Sequence, residues 1–223
     1  MNTQQERSFL SKIELRERLI AFAHSDGSLD SAADLGLLAL YIPPRFGGLF
    51  VRVERLNQIL QSLYWLRTGE KLRIPQLHGR VCSQILSYGT FAQYDLYLPR
   101  LAAGKRIGIL AYLNYMSTSV NPSLNAIECD DGFSLTGNTV ARGSVDNRSF
   151  VSLTAMLEGQ ARSFIVEGAA LPQGRKVKRG WTLYELRRHF IAQHTLLGGL
   201  MPVVQPSTEK WEAIRWRTDQ SAS

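Results

Sequence analysis

Cysteine is scarce: Cys82 and Cys129 are the only two in 223 residues, and neither sits in a CxxC or a Cys/His cluster. That pattern excludes a disulfide framework and a cysteine-based zinc site, and reads as two buried, unreactive thiols. His24, His78, His189 and His194 are scattered, and the pair in "HFIAQH" is five apart, not the four that set two imidazoles on one helical face. No metal is expected. No apolar run reaches the roughly 18 residues that a membrane-spanning helix needs. The opening "MNTQQERSFLSK" lacks the charged, apolar and small-residue order of a signal peptide. A cytoplasmic protein without a membrane partner is the expectation. GxGxxG and Walker A loops are missing too, which removes the common nucleotide cradles.

What is present is a core-forming composition, 44% hydrophobic, and an excess of positive charge, net +7. Much of that charge lies in "GRKVKRG" and "ELRRH", as Arg175, Lys176, Lys178, Arg179, Arg187 and Arg188. Such a stretch is a phosphate-binding surface, a contact with a partner chain or a solvated face. Trp181 and Tyr184 interleave with the charges, the composition of a stacking platform for nucleic acid, although nucleic acid is the least favoured partner.

The chain has two grammars. Up to Gly104 the pattern is helical: Leu56, Ile59, Leu60, Leu63 and Leu66 recur at spacings of three and four, and the same period runs through Phe9, Ile13 and Ile20. Ser31 and Asp34 stand at capping spacing ahead of "LGLLAL". In "YIPPRFGG" two prolines end an apolar helix and two glycines turn the chain. Gly89 and Thr90 read as one helix stopping and the next being capped, and Gly104 closes the second. After Lys105 come short alternating runs, "IGILAYLNY", "LNAIECDDGFSLTGNTV", "RSFVSLTAML" and "RSFIVEG", with Asp131 and Gly132 as a hairpin signal that calls for positive φ. Helices followed by strands predict an α+β chain.

Four segments, in this order, resemble the acyl-CoA dehydrogenase family: "LGLLALYIPPRFGG" from Leu35, "YGTFAQYDLYLPRLAAGKRIGILAYLN" from Tyr88, "DDGFSLTGNTV" from Asp130 and "LLGG" from Leu196. The resemblance implies an all-helical N-terminal domain over residues 1–104, a β-barrel-like middle domain over 105–200 and a tail over 201–223 with a short helix capped by Ser207. It implies FAD as cofactor and an acyl-CoA or acyl-carrier thioester as substrate. The chemistry is removal of hydrogens from Cα and Cβ, with a carboxylate base opposite flavin N5.

Carried over by position, the family's flavin strand falls on Leu110 to Ser119, so Leu113, Asn114, Thr118 and Ser119 are cofactor-site positions. Ser119 is the one that keeps the family's residue near the pyrophosphate or thioester. The Trp-Ile-Thr segment falls on Ala141, Arg142 and Gly143, which removes an aromatic wall and a hydroxyl and offers the Arg142 guanidinium to a phosphate. A C-terminal helical bundle carrying the catalytic Glu would follow "LLGG"; the chain is expected to be truncated before it. Glu54, Glu70 and Glu185 are not substitutes for that base. The expected function is an acyl-CoA dehydrogenase-like FAD-binding subunit, inactive alone and oligomeric through the face that the bundle would cover. The alternative is a non-catalytic family member that serves in binding or assembly.

Overall fold

Side-chain caps start three of the helices. The structure is a computed structural model that describes residues 11–51, 56, 58, 59, 62, 69–112, 124–142, 145–177 and 180–198. Helix α1 (Lys12–His24) opens on a capping box between Ser11 and Glu14. Its buried side is Leu15, Leu19, Phe22 and Ala23. Ile13 is 70% exposed, so the stripe expected through Ile13 is corrected by two positions. Helix α2 (Leu29–Asp34) is capped by Ser28, whose hydroxyl accepts from Ser31 N; Ser31 is inside the helix and is not its cap. Helix α3 (Gly69–Tyr88) carries Pro75, and α4 (Phe91–Ala102) begins on a second capping box, Thr90 with Gln93. Gly104 ends α4 with φ +67, as the sequence indicates. Leu56 and Ile59 are buried, whereas Leu60, Leu63, Leu66 and Phe9 lie outside the described residues.

The apolar run "LGLLAL" is not an α-helix. Gly36 adopts φ +69, and only a 3-10 turn, Leu37–Ala39, follows it. In "YIPPRFGG" a second 3-10 turn, Pro44–Phe46, ends at Gly47 with φ +84. At Gly48 a Cβ would stand 1.8 Å from the Ile42 carbonyl oxygen, so the chain can double back only without a side chain there. The returning segment is held by Leu49 N to Ala39 O, Phe50 N to Ile42 O and Val51 N to Leu40 O. These donors are satisfied within the loop, which turns the chain.

Among the described residues, seven strands form one mixed sheet: β1 (Ile107–Tyr112), β2 (Leu124–Cys129), β3 (Gly132–Arg142), β4 (Ser149–Leu157), β5 (Gln160–Glu167), β6 (Arg175–Lys176) and β7 (Trp181–Ala192). The β-barrel-like half takes the form of a curled sheet in which β1 and β2 each pair with both β3 and β4. β5 flanks β4, while β7 and β6 extend the sheet beyond β3. The β2–β3 hairpin turns on Asp130–Asp131. Gly132 is already in β3 and does not have positive φ; it is needed because a Cβ would meet the Ile191 carbonyl at 2.1 Å. The positive-φ hairpin is the other one, Glu158 at +50 and Gly159 at +77 between β4 and β5.

Helices and sheet share their cores. Ile107 of β1 joins Leu15, Leu19, Phe22 and Leu37 in one cluster. Phe150, Ile165 and Leu197 join Val81, Ile85, Leu98 and Leu101 in another. A third, with Phe133, Leu135, Leu153 and Phe164, fills the inside of the curl. The α3–β1 contact is close because Gly108 has no side chain: a Cβ there would lie 2.8 Å from Val81 Cβ. Gly108 N donates to His78 Nδ1 at 3.0 Å, tying the helix to the strand. Burial pushes the His78 imidazole down to about 4, partly opposed by the Leu38 main chain. Cys82 is buried as expected; Cys129 is exposed, a correction that follows from its place as the last residue of β2, beside the Asp130–Asp131 turn.

Candidate functional site

The described ends of the two stretches that the resemblance assigns to the flavin, Leu110–Tyr112 and Ala141–Arg142, are far apart in sequence and adjacent in the sheet. β1 and β3 pair antiparallel at Ala111 with Ala141 and at Tyr112 with Val140. Leu113, Asn114, Thr118, Ser119 and Gly143 lie outside the described residues, as does Glu54. Arg142 is described: it is the last residue of β3 and stands opposite Trp181, the first of β7. Its Cζ lies 5.9 Å from the centre of the Trp181 ring.

Paired residues in a sheet share a face, and the faces here are unequal. Ala111 and Ala141 point inward and are buried. Ala141, at the family's aromatic-wall position, therefore has neither the ring nor the orientation to form an outer wall. Val140, Arg142, Trp181, Leu183 and, on β6, Arg175 share the opposite face, where Val140 is buried, Arg142 and Trp181 are half-buried and Arg175 is exposed. A guanidinium beside an indole offers a planar, multi-donor cation and an aromatic plane on one surface, which suits a phosphate next to a flat ring.

Tyr184 points the other way and is buried, with Gly174 packed so closely that a Cβ would touch its ring at 2.7 Å. Burial raises its hydroxyl above the ordinary tyrosine value, opposed by the Val145 main chain and the Thr182 side chain. It is not available for stacking, so the nucleic-acid platform loses one of its two aromatics. Glu185 is exposed on β7, 3.4 Å from Arg187. Among the described residues no group of three His, Cys, Asp or Glu could hold a metal, and no helix is long and apolar enough to cross a membrane.

Residues 11–105 match the family model for the acyl-CoA dehydrogenase N-terminal domain. Over these residues the chain is similar to that domain. Its fold over both halves is similar to that of solved structures. These include the acyl-CoA dehydrogenase from Geobacillus kaustophilus, with TM-score 0.67 and 20% identity over 88% of this chain and 59% of that one. The prolyl acyl carrier protein oxidase AnaB gives TM-score 0.69 and 20% identity, covering 90% of this chain and 60% of that one. PigA with FAD and proline gives 0.71 and 18%, covering 91% and 60%. The chain thus spans about 60% of the length of these structures. A search of curated proteins gave no match.

Sequence reasoning named Trp181 only as part of a basic stretch and did not pair it with Arg142.

Proposed function

We propose that this chain is an FAD-binding, acyl-CoA dehydrogenase-like oxidoreductase subunit acting on the CH–CH group of an acyl thioester, with its catalytic base supplied from outside the described residues. The observation that supports the reading is the β1–β3 pairing at Ala111 and Ala141, which brings the described ends of the two flavin-assigned stretches together beside Arg142. Division into a helical unit over 1–104 and a β unit over 105–200 belongs to the same reading. The residues present fit the cofactor in one respect and depart from it in another: Arg142 and Trp181 offer a cation and a ring on one half-buried face, while Ala141 is turned to the other. FAD supplies the hydride acceptor for desaturation of a thioester. Arg142 holds a phosphate, and Trp181 backs the guanidinium and narrows its range of orientations. The acyl-CoA or acyl-carrier thioester is the class named for relatives, and the subunit works in a homo- or hetero-oligomer.

The test is a titration of the purified chain with FAD, read by flavin absorbance after gel filtration and by tryptophan fluorescence. Retained flavin, with binding weakened about tenfold in Arg142→Ala, is the expected result. A colourless chain whose fluorescence does not respond to FAD overturns the reading. The inward-facing Ala141 favours the second reading, a non-catalytic member that keeps the scaffold for binding or assembly.

A further inference from the structure

Three rows of outward residues cross β2, β3 and β7. Asn125, Thr136 and the bulged pair Arg187–Arg188 form the first, with Arg188 N donating to Thr136 Oγ1. Ile127, Ser134 and Phe190 form the second, and Cys129, Gly132 and Ala192 the third, capped by the Asp130–Asp131 turn. The middle row is the apolar one: Ile127 is 69% exposed and Phe190 54%. The Phe190 ring leans over Gly132, where its Cζ would stand 3.0 Å from a Cβ. Arg187 and Arg188 are exposed on one side of this row, and Asp130 and Asp131 on the other. Two residues of strand, about 7 Å, separate the apolar row from each neighbouring row.

An apolar row between a positive and a negative one is complementary to itself after a half-turn. We propose that this face pairs with the same face of a second copy of the chain, about a two-fold axis running along the Ile127–Ser134–Phe190 row. Phe190 then packs on the second copy's Phe190, and Arg188 of each chain crosses to the Asp130–Asp131 turn of the other, while Arg187 stays with Glu185. A foreign acidic protein or a nucleic acid would match the arginines and be repelled by the turn; a second copy satisfies both rows at once. Three strands by seven residues cover roughly 350 Å² per copy, so the association is a weak one that responds to concentration and salt. It uses a different part of the sheet from the flavin edge and stands or falls separately from the proposed activity.

Sedimentation velocity of the full chain without FAD, from about 5 to 200 µM and at low and high salt, reads it directly. The expected result is a dimer that grows with concentration, weakens with salt and is lost in Phe190→Asp. Arg188→Asp and Asp131→Arg each weaken it at least tenfold alone, because like charges then face each other twice. Mixed together, these two variants regain it, because both contacts are again opposite in sign. Arg188 has φ +51, a conformation that Asp adopts at little cost, and circular dichroism checks that each variant is folded. A wild-type chain that stays monomeric throughout overturns the proposal and leaves the row to a foreign protein. A dimer that survives Phe190→Asp, or variants that do not recover on mixing, overturn it too.

Discussion

Gln93 Nε2 donates to the Leu196 carbonyl oxygen at 2.7 Å, across 103 residues of sequence. The same nitrogen donates to His194 O at 2.9 Å, and the side-chain oxygen accepts from Thr90 N at 2.9 Å. One side chain therefore caps α4 and holds the segment that leaves β7. Gln93→Ala removes a cap and strands two carbonyls, a loss of about 2–3 kcal/mol. Urea unfolding should give a lower midpoint with an unchanged slope. Gln93→Glu keeps the cap acceptor and turns oxygen toward oxygen, so it is expected to be at least as damaging.

His78 makes stability depend on pH. Its folded value, about 4, lies below the ordinary 6.5, so the unfolded chain binds the extra proton first as pH falls. Its contribution is intact above pH 6.5, declines between about 6.5 and 4, and is lost below, an upper limit of about 3 kcal/mol. His78→Asn keeps an acceptor for Gly108 N and does not titrate. The difference in unfolding free energy between wild type and this variant should change across that window; a constant difference would count against the assignment.

Gly108→Ala sets a methyl 2.8 Å from Val81 Cβ, between a strand and a helix that cannot both yield. The expected cost is about 1–3 kcal/mol. Val81→Ala removes the Cγ1 that would stand at 3.1 Å but keeps the Cβ at 2.8 Å, so the double variant should regain only part of the loss, by thermal or urea unfolding of the four chains.

The two thiols should react at different rates. Cys129 is exposed, whereas Cys82 is buried and its thiol is pushed well above the ordinary range by desolvation. A thiol reagent on the native chain should modify one cysteine quickly, with Cys129→Ser abolishing that phase and Cys82 reacting only on unfolding.

Helix ends at Thr90 and Gly104 were legible in the sequence because the first is a capping box and the second has a positive φ, while at Gly89 a Cβ would stand 2.6 Å from the Ile85 carbonyl oxygen. Strands β1 to β5 were legible through alternation. Where several apolar residues competed for one side, local period failed: Ile13 and Leu15 both fit a helical repeat, and packing against Ile107 decided for Leu15. Ser31 has the spacing of a cap, but the helix begins at Ser28 and has ended by Gly36, whose backbone is left-handed. At the candidate site, alignment of motifs located the β1 and β3 ends. It did not reveal Trp181 beside Arg142, because that pairing depends on the register of a strand 39 residues later. The Gln93 clamp had no signal beyond the capping pattern, since its second pair of partners comes from the far end of the chain.

The shared cores have a consequence for cooperativity. Cutting at Lys105 would strip Ile107 from the helices and remove Phe150, Ile165 and Leu197 from α3 and α4, leaving each piece with an open apolar side. The two halves distinguished by sequence grammar should therefore melt in one calorimetric transition, and neither should fold when expressed by itself.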